Sequence, residues 1–205
     1  MKIEVQQVGQ LMTNCYIVWD ENTSNAAIID PGDDGAYLAE CLTKKHLTLR
    51  YILLTHGHYD HITGVPELLE TCGTEPEIYM SACDLGLDPV FAEDKVTLDP
   101  NRVKDWKEGD AVTMDSITFK VLSTPGHTPG SVCLIAEDVI FSGDTLFQGS
   151  CGRTDFPGGS WGEMEKSLRK LYALPGDYLV LSGHTGSTTL ERERKTNVFM
   201  RSAVS

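Results

Sequence analysis

Tyr51-Ile52-Leu53-Leu54-Thr55-His56-Gly57-His58-Tyr59-Asp60-His61 runs from an apolar strand straight into three histidines and an aspartate within six positions. Alternate residues of an extended backbone point the same way, so His56 and His58 can reach one ion from the strand end, while Asp60 and His61 follow as the chain turns. One short segment thereby offers ligands to two metal ions. Imidazole and carboxylate suit zinc, with iron or manganese as alternatives, and no cysteine is close enough in sequence to suggest a thiolate site. A histidine-rich tract can also be a solvated loop. The chain has only six histidines in 205 residues, however, and composition alone does not put three of them in one heptapeptide.

Working outward, the chain before this stretch reads as an N-terminal meander of strands at 2–8, 14–19 and 26–30, separated by Gly9-Gln10 and by Asn22-Thr23-Ser24-Asn25. Asp33 or Asp34 is placed to cap a helix that carries Tyr37, Leu38, Cys41 and Leu42 on one face. Asp30 sits at a strand end, where it is read first as a turn former and second as a group that orients a metal-bound histidine. After the histidine stretch, Pro66 opens a helix that Gly73 closes. Ile78-Tyr79-Met80 is a short strand, and 84–107, holding Pro89 and Pro100, reads as a long acidic surface excursion of the kind that often faces substrate.

A second run of strands follows at 111–114, 117–122, 131–136 and 138–142. Ser160-Trp161-Gly162-Glu163 is a capping box for a helix with Trp161, Met164, Leu168 and Leu171 on one face, stopped by Pro175-Gly176. One terminal helix is expected from about 188. Strands, helices, strands, helices in this order predict two similar halves whose sheets stack face to face with the helices outside.

Four separate apolar strands end in metal-type residues: the segment His56 to His61, then His127, Asp144 and His184. A single histidine after a glycine is usually a turn residue. Their common placement at strand ends makes one rim of the sheets a meeting point, on loops carried by a rigid scaffold.

Composition narrows the function classes. Lys and Arg number 17 against 30 for Asp and Glu, and the formal net charge of −13 opposes binding to nucleic acid or to an anionic membrane surface. Met1 to Gln7 has no basic patch followed by an apolar segment, and no window approaches the length of a membrane span, so a cytoplasmic location is expected. The cysteines Cys15, Cys41, Cys72, Cys83, Cys133 and Cys151 contain no Cys-Xaa-Xaa-Cys pair, which argues against a disulfide framework and against a zinc ribbon.

Asp30-Pro31-Gly32, Thr55-His56 to His61, Pro125-Gly126-His127-Thr128-Pro129-Gly130, Gly143-Asp144-Thr145-Leu146-Phe147, Cys151-Gly152-Arg153 and Gly183-His184 together resemble the metallo-β-lactamase superfamily, and within it the glyoxalase II-like (hydroxyacylglutathione hydrolase-like) hydrolases. The resemblance covers nearly the whole chain. It implies a single α/β domain, an αββα sandwich of two mixed sheets flanked by helices. It also implies two divalent ions, one on His56, His58 and His127, the other on Asp60, His61 and His184, with Asp144 bridging. In glyoxalase II the lysine and tyrosine that hold glutathione fall at Arg153 and Asp155, with another tyrosine near Gly186. A helical C-terminal domain adds basic contacts there, and this chain is expected to lack it. The segment Gly152 to Gly158 is more like the short bacterial type.

Seven ligands shared between two ions leave positions open for water, unlike a closed structural site. Even one zinc lowers the pKa of its water to about 7, so the expected reaction is attack of a metal-activated hydroxide on a small acyl-thiol, with Asp60 and Asp144 as the catalytic carboxylates. Arg153 is either a clamp for a substrate carboxylate or a partner of a neighbouring acid such as Asp155. Two other readings of the same fold are a mononuclear iron dioxygenase acting on a persulfide and a hydrolase of another ester or lactone. A catalytically inert binding module is the non-enzymatic alternative.

Overall fold

The computed structural model describes residues 1–87, 96 and 98–205. Strands β1 (Lys2–Val8), β2 (Thr13–Trp19), β3 (Asn25–Ile29), β4 (Thr48–Leu53), β5 (Glu77–Met80) and β6 (Val103–Asp105) form a first sheet in that spatial order. Its connections carry helices α1 (Gly35–Lys44), α2 (Tyr59–Ile62) and α3 (Val65–Thr71). The second half supplies β7 (Ala111–Met114), β8 (Ile117–Ser123), β9 (Val132–Ala136), β10 (Val139–Gly143), a small hairpin of β11 (Leu146–Phe147) and β12 (Ser150–Cys151), helix α4 (Trp161–Ala173), β13 (Leu179–Ser182), β14 (Thr188–Thr189), α5 (Leu190–Thr196) and α6 (Val198–Ala203). Its sheet runs β14-β13-β10-β9-β8-β7.

Period-two side-chain alternation explains the layering. Ile17, Ile28 and Ile52 point from the first sheet to Leu38, Leu42 and Leu68 of α1 and α3. Their neighbours Val18, Ala27, Ile29 and Leu53 point the other way, onto Phe119, Val121, Leu134 and Phe141 of the second sheet. The outer face of that sheet, with Ile140 and Val180, is covered by Met164, Leu168 and Leu171 of α4 and by Leu190 and Met200. Each large side chain so buried contributes about 1.5–3 kcal/mol. The result is the expected αββα sandwich.

Strand direction places the site. β3 and β4 are parallel, so Asp30 and Thr55-His56 emerge at the same end of the first sheet. β10 and β13 are likewise parallel, so Asp144 and His184 emerge together from the second. Glycine lets the two halves close: a Cβ at Gly183 would collide with Asp144 Oδ1 and His61 Cε1.

Several local expectations are corrected. Asp34 precedes α1 but does not cap it with its side chain, because it adopts φ 54° and its Oδ2 accepts from the Gly9 amide at 3.0 Å. Tyr37 faces solvent, its hydroxyl donating to Gln6, while Leu38, Cys41 and Leu42 are buried. Only half of the capping box at α4 forms: Ser160 Oγ accepts from the Glu163 amide, while the Glu163 carboxylate takes Lys166. Trp161 lies at the exposed start of that helix, edge-on to Phe199. The terminal helix is two helices, because Asn197 leaves helical geometry and its Oδ1 accepts from Phe199 N and Met200 N to start α6. The supposed excursion at 84–107 includes β6, which pairs parallel to β5, and begins with a buried Asp84. Residues 88–95 and 97, Pro89 among them, lie outside the described residues.

Candidate metal centre

All six sequence-selected side chains beyond His56 reach one place. Ligand atoms of His56, His58 and His127 lie within 4.8 Å of one another, as do those of His56, His61 and Asp144, and those of Asp60, His61 and His184. The contacts between clusters are short. His184 Nε2 is 3.1 Å from Asp60 Oδ2 and 3.6 Å from Asp144 Oδ2. His61 Nε2 is 3.6 Å from Asp60 Oδ2 and 3.5 Å from Asp144 Oδ1, and His127 Nε2 is 3.5 Å from Asp144 Oδ2. Asp144 therefore faces both groups of histidines.

Backbone and neighbouring side chains fix which nitrogen each imidazole turns inward. Thr55 Oγ1 donates to Asp30 Oδ2 at 2.6 Å and so accepts from His56 Nδ1, 3.1 Å away. His61 Nδ1 donates to the same Asp30 Oδ2 at 3.0 Å, and His127 Nδ1 donates to the Arg153 carbonyl at 2.7 Å. With the proton on Nδ1, each Nε2 presents a lone pair to the centre. His58 turns its other ring nitrogen inward, with Nδ1 2.8 Å from His127 Nε2. Asp60 Oδ2 accepts from Thr13 Oγ1 at 3.2 Å, which steadies one of the two candidate ligands carried on the short α2, the other being His61.

The electrostatics call for positive charge between these groups. Burial pushes His56 well below its ordinary value, reinforced by His61 and His127, and burial with His127 alongside lowers His58 to about 3. Both are thus neutral, ligand-ready imidazoles at pH 7. Burial works against protonation of His61 too, but Asp144, Asp60 and Asp30 outweigh it and raise the group to about 10, so without a cation Nε2 also holds a proton, which a metal ion would displace to reach the lone pair. Burial opposes ionisation of Asp60, yet His61 and His184 hold it below the usual carboxylate range.

A metal fits this arrangement. His56 Nε2, His61 Nε2 and Asp144 Oδ1 are buried with no hydrogen-bond partner, a costly state unless something satisfies them. Donors about 2.1 Å from a tetrahedral zinc stand about 3.4 Å apart, close to the spacings above. The site opens into a cavity of about 680 Å³, a size that suits a small molecule.

Two readings of individual residues change. Asp30 does take a turn conformation, at φ 52°, but it is also the group that holds His61 and Thr55, so the less favoured reading applies as well. Arg153 is paired with Asp155 through Nε at 2.7 Å and Nη2 at 2.8 Å, so its Nε–Nη2 edge is already filled.

Asp84 escapes sequence reasoning. Its Oδ2 accepts from the Gly57 amide at 3.0 Å and from Thr128 Oγ1 at 2.6 Å, and its Oδ1 accepts from the Gly130 amide at 2.7 Å. It ties the His56-His58 loop to the His127 loop, and no spacing signal marks it.

A family profile described as the metallo-beta-lactamase superfamily matches residues 8–184. The hydroxyacylglutathione hydrolase GloC of Haemophilus influenzae is 36% identical, covering 98% of this chain and 99% of that protein. Among solved structures, the BLEG-1 B3 metallo-beta-lactamase is 33% identical with a TM-score of 0.87, covering 97% of this chain and 99% of that one. TTHA1623 in a di-iron-bound form is 32% identical with a TM-score of 0.80, covering 96% and 99%.

Proposed function

This chain belongs to the metallo-beta-lactamase superfamily, and from that premise we propose that it is a two-metal hydrolase of small acyl-thiol esters, with zinc as the expected metal. The observation that carries the reading is the convergence of the orphaned His56 Nε2, His61 Nε2 and Asp144 Oδ1 among seven histidine and aspartate side chains. His56, His58 and His127 would hold one ion and Asp60, His61 and His184 the other, with Asp144 shared. Similarity to a protein solved with two irons supports the count of two, and similarity to GloC supports the acyl-thiol class.

Bound there, the ions supply an activated water and a Lewis acid for the thioester carbonyl. The chain's own residues do the rest. Asp30, Thr55 and the Arg153 carbonyl keep His61, His56 and His127 in the one tautomer that binds. Asp60, ionised and open to the cavity, would accept a hydrogen bond from the water and hold it for attack, relaying its proton towards the departing sulfur without itself staying protonated. The acyl carbon gains a C–O bond and loses its C–S bond, releasing a carboxylic acid and a thiol. Leu11, Phe147 and Phe156 give the cavity apolar walls that limit bulk water around the ester.

The test is turnover of S-lactoylglutathione by the metal-loaded protein, beside a panel of uncharged thioesters, esters, lactones and β-lactams. Thioester hydrolysis that leads the panel supports the proposal. One iron per chain with oxygen consumption on a persulfide would replace it with the dioxygenase reading. A metal-loaded protein inert to the whole panel would favour a binding module.

A further inference from the structure

Arg153 is the only lysine or arginine among the described residues that line the active cavity. Two neighbours hold it. Asp155 fills its fork with two parallel hydrogen bonds, and Phe156 supports its face, with the guanidinium carbon 3.6 Å from the ring centroid. Phe156 in turn stands edge-on to His58, so this arrangement sits at the mouth of the metal centre. The Arg153 hydrogen bonds hold the Asp155 carboxyl down at about 2, so the acid is charged throughout the working range.

A guanidinium binds a carboxylate best through its two-pronged edge. Here the Nε–Nη2 edge is taken by a residue two positions along the chain, a partner present at high local concentration. A carboxylate on the substrate must either displace Asp155 or take the remaining Nη1 side of the guanidinium, and in both cases it comes to rest beside a second negative charge, on a protein whose formal net charge is already −13.

We propose that Asp155 is a specificity-determining residue: by occupying Arg153 it turns the cavity mouth against thiol carriers that bear carboxylates and selects acyl-thiols whose thiol portion is uncharged there. The inference rests on the acyl-thiol reading for its substrate class and extends it. It predicts that glutathione thioesters are accepted as substrates with weak binding, while their uncharged counterparts bind better.

The test uses the metal-loaded full chain and two ligands that cannot be hydrolysed, S-methylglutathione and the uncharged S-methyl-N-acetylcysteamine, titrated by calorimetry. Asp155→Asn keeps the size of the side chain and removes its charge. It should tighten S-methylglutathione by about two- to fivefold, more at low salt, as expected for an exposed but well-formed pair. Binding of the uncharged ligand should stay the same. The gain should vanish in Arg153→Gln/Asp155→Asn, which shows that it works through the guanidinium. Equal Kd for S-methylglutathione in parent and Asp155→Asn, no detectable binding by either, or a gain that persists in the double variant would overturn the proposal. So would a fall in kcat for an uncharged thioester in Asp155→Asn, because Asp155 would then act by holding Arg153 and its carbonyl in place. If no variant hydrolyses any thioester while the charge-selective shift appears, the hydrolase reading fails and this one stands.

Discussion

Asp30 Oδ2 lies 3.0 Å from His61 Nδ1, and the same carboxylate receives the Thr55 amide at 2.8 Å and the Thr55 hydroxyl at 2.6 Å. One buried acid at the end of β3 thereby sets the tautomer of His61 directly and that of His56 through Thr55. Replacing it by alanine frees both rings to turn. Asp30→Ala should weaken metal retention about 10–100-fold, as removal of such partners does, read by competition with a chromogenic chelator.

Asp144 faces both histidine groups, and His58 enters only the first. Asp144→Ala and His58→Ala should each lower kcat by at least about a thousandfold, the scale expected when a ligand of the reacting ions is lost. The far-ultraviolet circular dichroism should stay native, because neither residue belongs to the three apolar layers. Unchanged turnover in either variant would remove that residue from the mechanism.

Asp84 satisfies two backbone amides and the Thr128 hydroxyl in a buried pocket. Asp84→Ala leaves the Gly57 and Gly130 amides without a partner, while the Thr128 hydroxyl keeps Ser131 Oγ at 2.7 Å, at about 3 kcal/mol in total, which for a chain of this size lowers Tm by roughly 6–12 °C. The loss should also separate the His56-His58 and His127 loops, so metal content should fall with stability. A thermal melt that does not move would show that Asp84 is no strut.

Cys151 lines the cavity and looks like a nucleophile, but burial pushes its thiol up to about 11. At neutral pH it is almost wholly protonated and unreactive, and its reactivity should climb only as the pH approaches that value. Iodoacetamide at pH 7.5 should label the exposed Cys83 and leave Cys151 untouched, as read by peptide mass spectrometry. Cys151→Ala should retain turnover within about twofold.

The parts of the site that are legible in the sequence share a physical cause. His56, His58, Asp60 and His61 are adjacent in the chain, so local spacing brings them together. His127, Asp144 and His184 each follow an apolar strand, and strand ends meet along one rim of a sandwich. Other features depend on what the folded chain places opposite a residue. Asp30 reads as a turn former until His61 stands beside it, and Asp84 reads as surface until Gly57, Thr128 and Gly130 enclose it. Tyr37 is apolar enough for the buried face of α1, but the sheet lies under Leu38 and Leu42. The break between α5 and α6 is likewise tertiary: Asn197 Nδ2 donates to the Ser150 carbonyl at 2.9 Å while its oxygen caps the next helix. β6 has little pattern of its own and exists because β5 offers a parallel edge.

On this reading, seven side chains from both halves of the sandwich grip two cations. Elemental analysis of the purified protein, reconstituted with zinc and freed of excess by gel filtration, counts them. Two ions per chain are predicted, falling to one or fewer in Asp144→Ala. A parent chain that retains no metal, or an Asp144→Ala variant that still holds two, would contradict it.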